Sequence, residues 1–268
     1  MGLGTQIRLS RLFSHSSGNL FGAAVDHFVG YGDARHGGLS DLPAALEKII
    51  AAEPDSLTVQ PGTAKAAWGP YAGKTGLIVQ AGCFTADDRI HELITTPEDA
   101  VRLGADALAV AIPVNGPTEG PYLKWLTDSV RAAAPLEMPI VAHIYPRVFD
   151  DGVGRIHFDP EGIAYAVRVG IETGVDVIKV GYPGDEAAFA EIVKGCPVPI
   201  VLAGGPKTAS LLETLTQIEE GVRAGAKGAV LGRNLWGADD VTAAGRAYAG
   251  VIHDGLPAEA AAKSATKA

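Results

Sequence analysis

Short apolar runs recur along the chain, each closed by glycine, proline or a polar residue and followed by a stretch whose apolar positions lie three and four apart. The runs at 21–25, 56–59, 76–80, 107–112, 139–144, 175–180, 199–203 and 228–231 read as strands, and the stretches at 42–52, 96–103, 121–133, 160–173, 185–194 and 208–224 read as helices. Between the second and third strands the connection is short, and 63–67 is the least regular of the helical patterns. Eight strand-then-helix units predict a single-domain α/β fold, a TIM (β/α)8 barrel over residues 1–256. An open doubly wound sheet would usually show fewer strands at this length, and no Gly-x-Gly-x-x-Gly follows the first strand. Strands that are apolar almost throughout also suit a parallel sheet covered on both sides. Residues 257–268, rich in alanine and lysine, have little to bury and are expected to fray.

Composition narrows the partners. With 268 residues, 47% of them hydrophobic, there is material for one sizeable core, and a net charge of −9 argues against nucleic acid or an anionic membrane as a partner. Any anionic ligand must be gripped locally. Cys83 and Cys196 are far apart and belong to no CxxC or Cys/His pattern, so reduced thiols in a cytoplasmic protein are expected. No run approaches the ~18 apolar residues of a membrane span, and no apolar segment follows Arg8 and Arg11 as a signal peptide would require.

In a barrel the chemistry sits at the C-terminal strand ends. The sixth strand, Val175-Asp176-Val177-Ile178-Lys179-Val180-Gly181, carries an ammonium group in an apolar run. Such a lysine either finds an acid or is driven towards the neutral amine, which can condense with a ketone. The fifth strand ends in His143-Ile144-Tyr145-Pro146-Arg147; alternation puts His143 and Tyr145 on one face, where a phenol can pass a proton to carbon or simply pack with its hydroxyl wet. Asp26 and His27 end the first strand, where a carboxylate can handle a sugar hydroxyl or serve a turn. Gly204-Gly205-Pro206-Lys207 and Gly232-Arg233-Asn234 end the last two strands, the usual phosphate-holding positions of a barrel, with Lys207 and Arg233 adding charge. His27, His36 and His143 are the histidines nearest the barrel mouth. They form no His-x-His or His-Glu-x-x-His pattern, and neither a metal nor another cofactor is expected.

Taken together and in order along the strands, Asp26-His27, Tyr145-Pro146-Arg147, Ile178-Lys179-Val180 with Gly184-Asp185, Gly204-Gly205-Pro206-Lys207 and Gly232-Arg233-Asn234 resemble the DeoC/LacD-type class I aldolases. The look is nearest to the archaeal-type fructose-bisphosphate aldolases, with aminodideoxyheptulosonate synthases and the autoinducer-2 thiolase as relatives. The resemblance implies Lys179 as the Schiff-base lysine, Tyr145 as the proton-transfer residue and Asp26 as the carboxylate serving substrate hydroxyls. It implies that Gly204, Gly205, Gly232 and Arg233 hold the phosphate of a sugar phosphate, with Lys207 nearby. His27, His143 and Arg147 become further substrate-binding candidates. The reaction implied is reversible aldol cleavage of a phosphorylated ketose to dihydroxyacetone phosphate and an aldehyde, in a homo-oligomer.

Two stretches depart from the family's pattern, 28–36 after the first strand and 148–152 after Tyr-Pro-Arg, both expected to face the aldehyde half. The alternative is a thiolase-like acyl or ketol transfer by the same lysine, distinguishable by dependence on coenzyme A. A barrel that only binds a sugar phosphate finds no support in this set of residues.

Overall fold

The computed structural model describes residues 1–27, 38–82 and 94–266. Eight parallel strands close into a barrel: β1 (Leu20–Ala24), β2 (Ser56–Val59), β3 (Gly76–Gln80), β4 (Ala107–Val114), β5 (Ile140–Asp150), β7 (Val177–Val180), β8 (Ile200–Ala203) and β9 (Gly228–Leu231). They follow one another around the ring, β1 pairing with β9 and β4 with β5. The ninth strand, β6 (Val153–Ile156), stands apart and pairs antiparallel with the end of β5.

That hairpin is the main difference from the sequence-based picture. The fifth strand continues through Tyr145-Pro146-Arg147 to Asp150, and the departure at 148–152 is strand and turn. Asp151 and Gly152 both have positive φ, 47° and 78°, as a two-residue type I′ turn requires. The other departure, 28–36, with His36, lies outside the described residues, as does Cys83.

The helices are α1 (Leu3–Leu12), α2 (Leu42–Ile50), α3 (Pro61–Ala67), α4 (Pro97–Arg102), α5 (Glu119–Ala133), α6 (Pro160–Thr173), α7 (Glu186–Lys194), α8 (Leu211–Arg223), α9 (Arg233–Trp236), α10 (Val241–Asp254) and α11 (Ala258–Ala265). Their starts are written locally. Asp41, Thr96, Asp159, Asp185, Ser210 and Asp240 each accept a hydrogen bond from an amide in the first turn that follows, satisfying a donor with no partner inside the helix. Asp185, one of the residues carrying the family resemblance, has this capping task at α7.

The core has two layers. Outward-facing strand residues such as Leu57, Val79, Leu108, Ile144, Ile178 and Leu202 pack under the helices. Inward-facing Leu20, Ile78, Ala109, Val141, Val177, Val201 and Val230 fill the barrel, and Leu12 of α1 joins them, closing its N-terminal end. Arg11 on α1 pairs with Asp106 at 3.1 Å, and the other oxygen of Asp106 accepts from the amide of Leu77. At the opposite end of the chain the expected fraying is not seen over 258–265. There α11 buries Ala258 and Ala261 against α8 and α10, and Glu219 accepts from the amide of Ala258 at 2.8 Å.

Candidate active site

Period-two alternation carries the inward-facing rows to the C-terminal mouth. Val177 faces the barrel interior, so Lys179 does too; Val141 puts His143 and then Tyr145 on the same inner face. Lys179 is 5% exposed. Burial pushes its ammonium down to about 8, an effect partly opposed by the Asp26 carboxylate. A lysine of ordinary pKa is neutral in roughly four molecules in ten thousand at pH 7, and one at about 8 in roughly one in ten. The fold thus supplies a usable fraction of nucleophilic amine near neutrality.

Asp26, just beyond β1, is held from three sides. Gln80 donates to one carboxylate oxygen at 2.8 Å, His27 Nδ1 lies 3.3 Å from the other, and Gln60 donates to its backbone carbonyl at 3.3 Å. Gln60 and Gln80 escaped the sequence reading. Each is a polar residue closing an apolar strand at the mouth, which is the same signal that singled out Asp26. His27 sits over Gly232 so closely that a Cβ there would overlap its ring, and its other side meets Trp236 edge-on with centroids 5.8 Å apart. Gly232 is therefore required by the seating of His27 as well as by any approach of an anion.

His143 is paired directly with Lys179 across β5 and β7 and is 2% exposed. Burial, then the charge of Lys179 and of His27, pushes it well below the usual histidine range, so the ring is neutral. Tyr145 is half-buried, its ring 6.5 Å from that of Phe158. The Arg147 guanidinium donates to the Asn115 carbonyl at 2.7 and 3.2 Å and to Thr118 at 2.9 Å, and lies 5.2 Å above the Phe149 ring. It braces the β5–β6 hairpin against the loop after β4.

The loops after β8 and β9 are knitted together by one side chain. Asn234, 7% exposed, donates to the carbonyls of Gly204 at 2.7 Å and Pro206 at 2.9 Å and accepts from the amide of Thr208 at 2.9 Å. Its own carbonyl accepts from Tyr248 at 3.1 Å. Gly205 has φ 66°, and its carbonyl accepts from Arg233 at 3.3 Å. Lys207 is exposed and donates to the Gly237 carbonyl at 2.8 Å. A cavity of about 250 Å³ opens here, lined by Gly204, Gly205, Lys207 and Thr208 with Phe158 and Tyr182. The larger cavity, about 890 Å³ around Arg11, Asp55 and Lys74, lies at the opposite, N-terminal end of the barrel. In this fold the strand ends that carry catalytic groups are at the other face. No group of three or more His, Cys, Asp and Glu among the described residues is arranged to hold a metal ion.

The family profile for DeoC/LacD family aldolase matches residues 21–238, the whole span from β1 past the β9 loop. The chain belongs to the DeoC/LacD family of aldolases. Within the family it is similar to a 2-amino-3,7-dideoxy-D-threo-hept-6-ulosonate synthase of Halobacterium salinarum, 32% identical over 96% of this chain and 95% of the relative. It is also similar to a 2-amino-4,5-dihydroxy-6-oxo-7-(phosphonooxy)heptanoate synthase of Streptomyces griseus, 29% identical over 92% and 90%. A solved archaeal fructose-1,6-bisphosphate aldolase, with its catalytic lysine bound to the carbinolamine intermediate, superposes with a TM-score of 0.81 at 29% identity, covering 93% of this chain and 99% of that one. Fold and class I, Schiff-base aldolase family are thereby shown. The similar proteins make different products, so the family does not name the aldehyde.

Proposed function

We propose that this chain is a class I aldolase that forms an iminium between Lys179 and a phosphorylated three-carbon ketone, and that it joins that ketone to an aldehyde bearing an amino-acid end. The burial of Lys179 at the barrel mouth carries the first part. Only the neutral amine attacks a carbonyl, and the lowered pKa supplies it. Once the iminium has formed, it withdraws electrons from the adjacent carbon. Asp26, oriented by Gln80, takes or returns the hydroxyl proton of the bond being cut, and Tyr145 exchanges a proton with the enamine carbon. Gly204, Gly205, Gly232 and Arg233 grip the phosphate, with Lys207 at the edge of the cavity.

The similar synthases support the aldehyde half. One product is a heptanoate with an amino group at carbon 2, hydroxyls at 4 and 5, an oxo group at 6 and phosphate at 7. An aldol bond joins the carbons α and β to the ketone, here 5 and 4. An enzyme building such a chain unites a three-carbon ketone phosphate with a four-carbon amino-acid aldehyde. Borohydride reduction with dihydroxyacetone phosphate, read by peptide mapping, is expected to label Lys179. Turnover with a panel of aldehydes is expected to favour amino-acid aldehydes over glyceraldehyde 3-phosphate. A label on another lysine, or a preference for glyceraldehyde 3-phosphate, would refute the corresponding half of the proposal.

A further inference from the structure

Among the described residues, the imidazole of His143 is a buried titratable group of the mouth that the mechanism above leaves without a task. It faces Lys179 directly: the two residues are register partners on adjacent parallel strands, both directed into the barrel. Neighbouring strands run about 4.8 Å apart, so the histidine ring lies alongside the lysine stem. A buried imidazole ordinarily has a hydrogen-bond partner. Among the described residues the His143 ring has none, whereas Asp26 is engaged by Gln80 and His27. Level with Lys179 on the inner face, the His143 nitrogens can reach a ketone bound there.

We propose that His143 is a catalytic residue, the proton carrier of iminium formation, moving protons between Lys179 Nζ and the carbonyl oxygen of the ketone. The inference rests on the reading of Lys179 as the Schiff-base amine and adds the residue that serves its covalent step. Its neutral ring has one accepting and one donating nitrogen.

The step balances without any redox change. A protonated lysine and a ketone become an iminium and water, so two protons travel from Nζ to the departing oxygen. One goes as the C–N bond forms and the carbonyl oxygen becomes a hydroxyl. The other goes as the C–O bond breaks and the hydroxyl leaves as water. A neutral imidazole takes each proton from nitrogen and yields it to oxygen, ending unchanged. Tyr145, one inward position nearer the mouth, is left to the carbon acid chemistry.

The test is the rate at which the full-length protein forms a borohydride-reducible adduct with dihydroxyacetone phosphate, quenched at successive times and read by intact mass. His143→Phe and His143→Gln are expected to slow adduct formation about a hundredfold, the scale of one general acid–base group. Tyr145→Phe should form the adduct near the wild-type rate while losing carbon–carbon bond cleavage. His143→Ala separates chemistry from packing. Added imidazole should restore its rate, and pyrrole, similar in shape but without a basic nitrogen, should not. Adduct formation within about twofold of wild type in the Phe and Gln variants, or equal rescue by pyrrole, would overturn the assignment. A wild type that forms no adduct at Lys179 would instead bring down the underlying lysine reading, and this inference with it.

Discussion

Placing an ammonium group inside the barrel should destabilise the protein, and the size of that effect follows from the site. Burial lowers Lys179 from 10.5 to about 8. At roughly 1.4 kcal/mol per unit of pKa this is about 3 kcal/mol against the protonated folded state. The sign is set by comparing the two states. The unfolded chain holds the proton up to its ordinary pKa and the folded chain releases it near 8, so between those values the unfolded state binds more protons and stability rises with pH. Below about 8 both states are protonated and the full penalty applies. Lys179→Met keeps the length of the side chain and removes the charge, so at pH 7 it should be more stable than the wild type by about 3 kcal/mol. That difference should shrink from pH 8 upward and largely vanish near 10.5. Urea unfolding of both proteins at matched pH values measures it, with the effects of groups not coupled to Lys179 cancelling in the difference. A Met variant no more stable than wild type at pH 7, or a difference independent of pH over this window, would refute the reasoning.

Asn234→Ala should leave the Gly204 and Pro206 carbonyls and the Thr208 amide without their shared partner, costing about 2 kcal/mol or more in thermal unfolding. Because the loops after β8 and β9, the proposed phosphate grip, then loosen, KM for a phosphorylated ketone should rise about tenfold or more while Lys179 is still labelled by borohydride. An unchanged KM would remove Asn234 from any role in the grip. Gly232→Ala forces its methyl into the His27 ring. It should cost about 1–3 kcal/mol in unfolding and shift the fluorescence of Trp236, which the displaced ring contacts; unaltered fluorescence and stability would count against the observed seating. Gly152→Val removes the residue that accepts φ 78° in the β5–β6 turn. Faster proteolysis within 147–156 is expected, and wild-type resistance would show that the turn tolerates a branched side chain.

The barrel was legible because every strand announces itself twice, by an apolar run and by the polar or glycine residue that ends it. Six expected strands end within a residue of where they are found, since burial on both faces keeps them mostly apolar up to the residue that closes them, with Ser56, Thr58 and Lys179 as buried exceptions. The hairpin was less legible. Its Asp-Gly turn is flanked by Val148 and Phe149 on one side and Val153 and Ile156 on the other, a fair hairpin signature, but its strands stand largely in solvent and show no continuous apolar run. α11 escaped for a related reason: alanines bury little area each, and only the packing of α8 and α10 shows that the area is enough.

For the site, the chemistry-bearing residues were readable one at a time, but their supports were not. Lys179 stands out because a charge in an apolar strand demands an explanation. Gln80 and Gln60 close apolar strands as Asp26 does, but as neutral amides they point to no chemistry of their own; they matter because β2 lies beside β1 and β3 beside β2 in the closed ring, bringing both amides to Asp26. Asn234 and Arg147 make the same point in opposite directions. Asn234 was read as part of a motif without a task and ties together the loops after β8 and β9, whereas Arg147, read as a substrate contact, also braces the backbone after β4. A strand-end residue's own chemistry says what it can do, and the closure of the barrel decides which neighbour it does it for. That is why His143 acquires a task only once register places it level with Lys179.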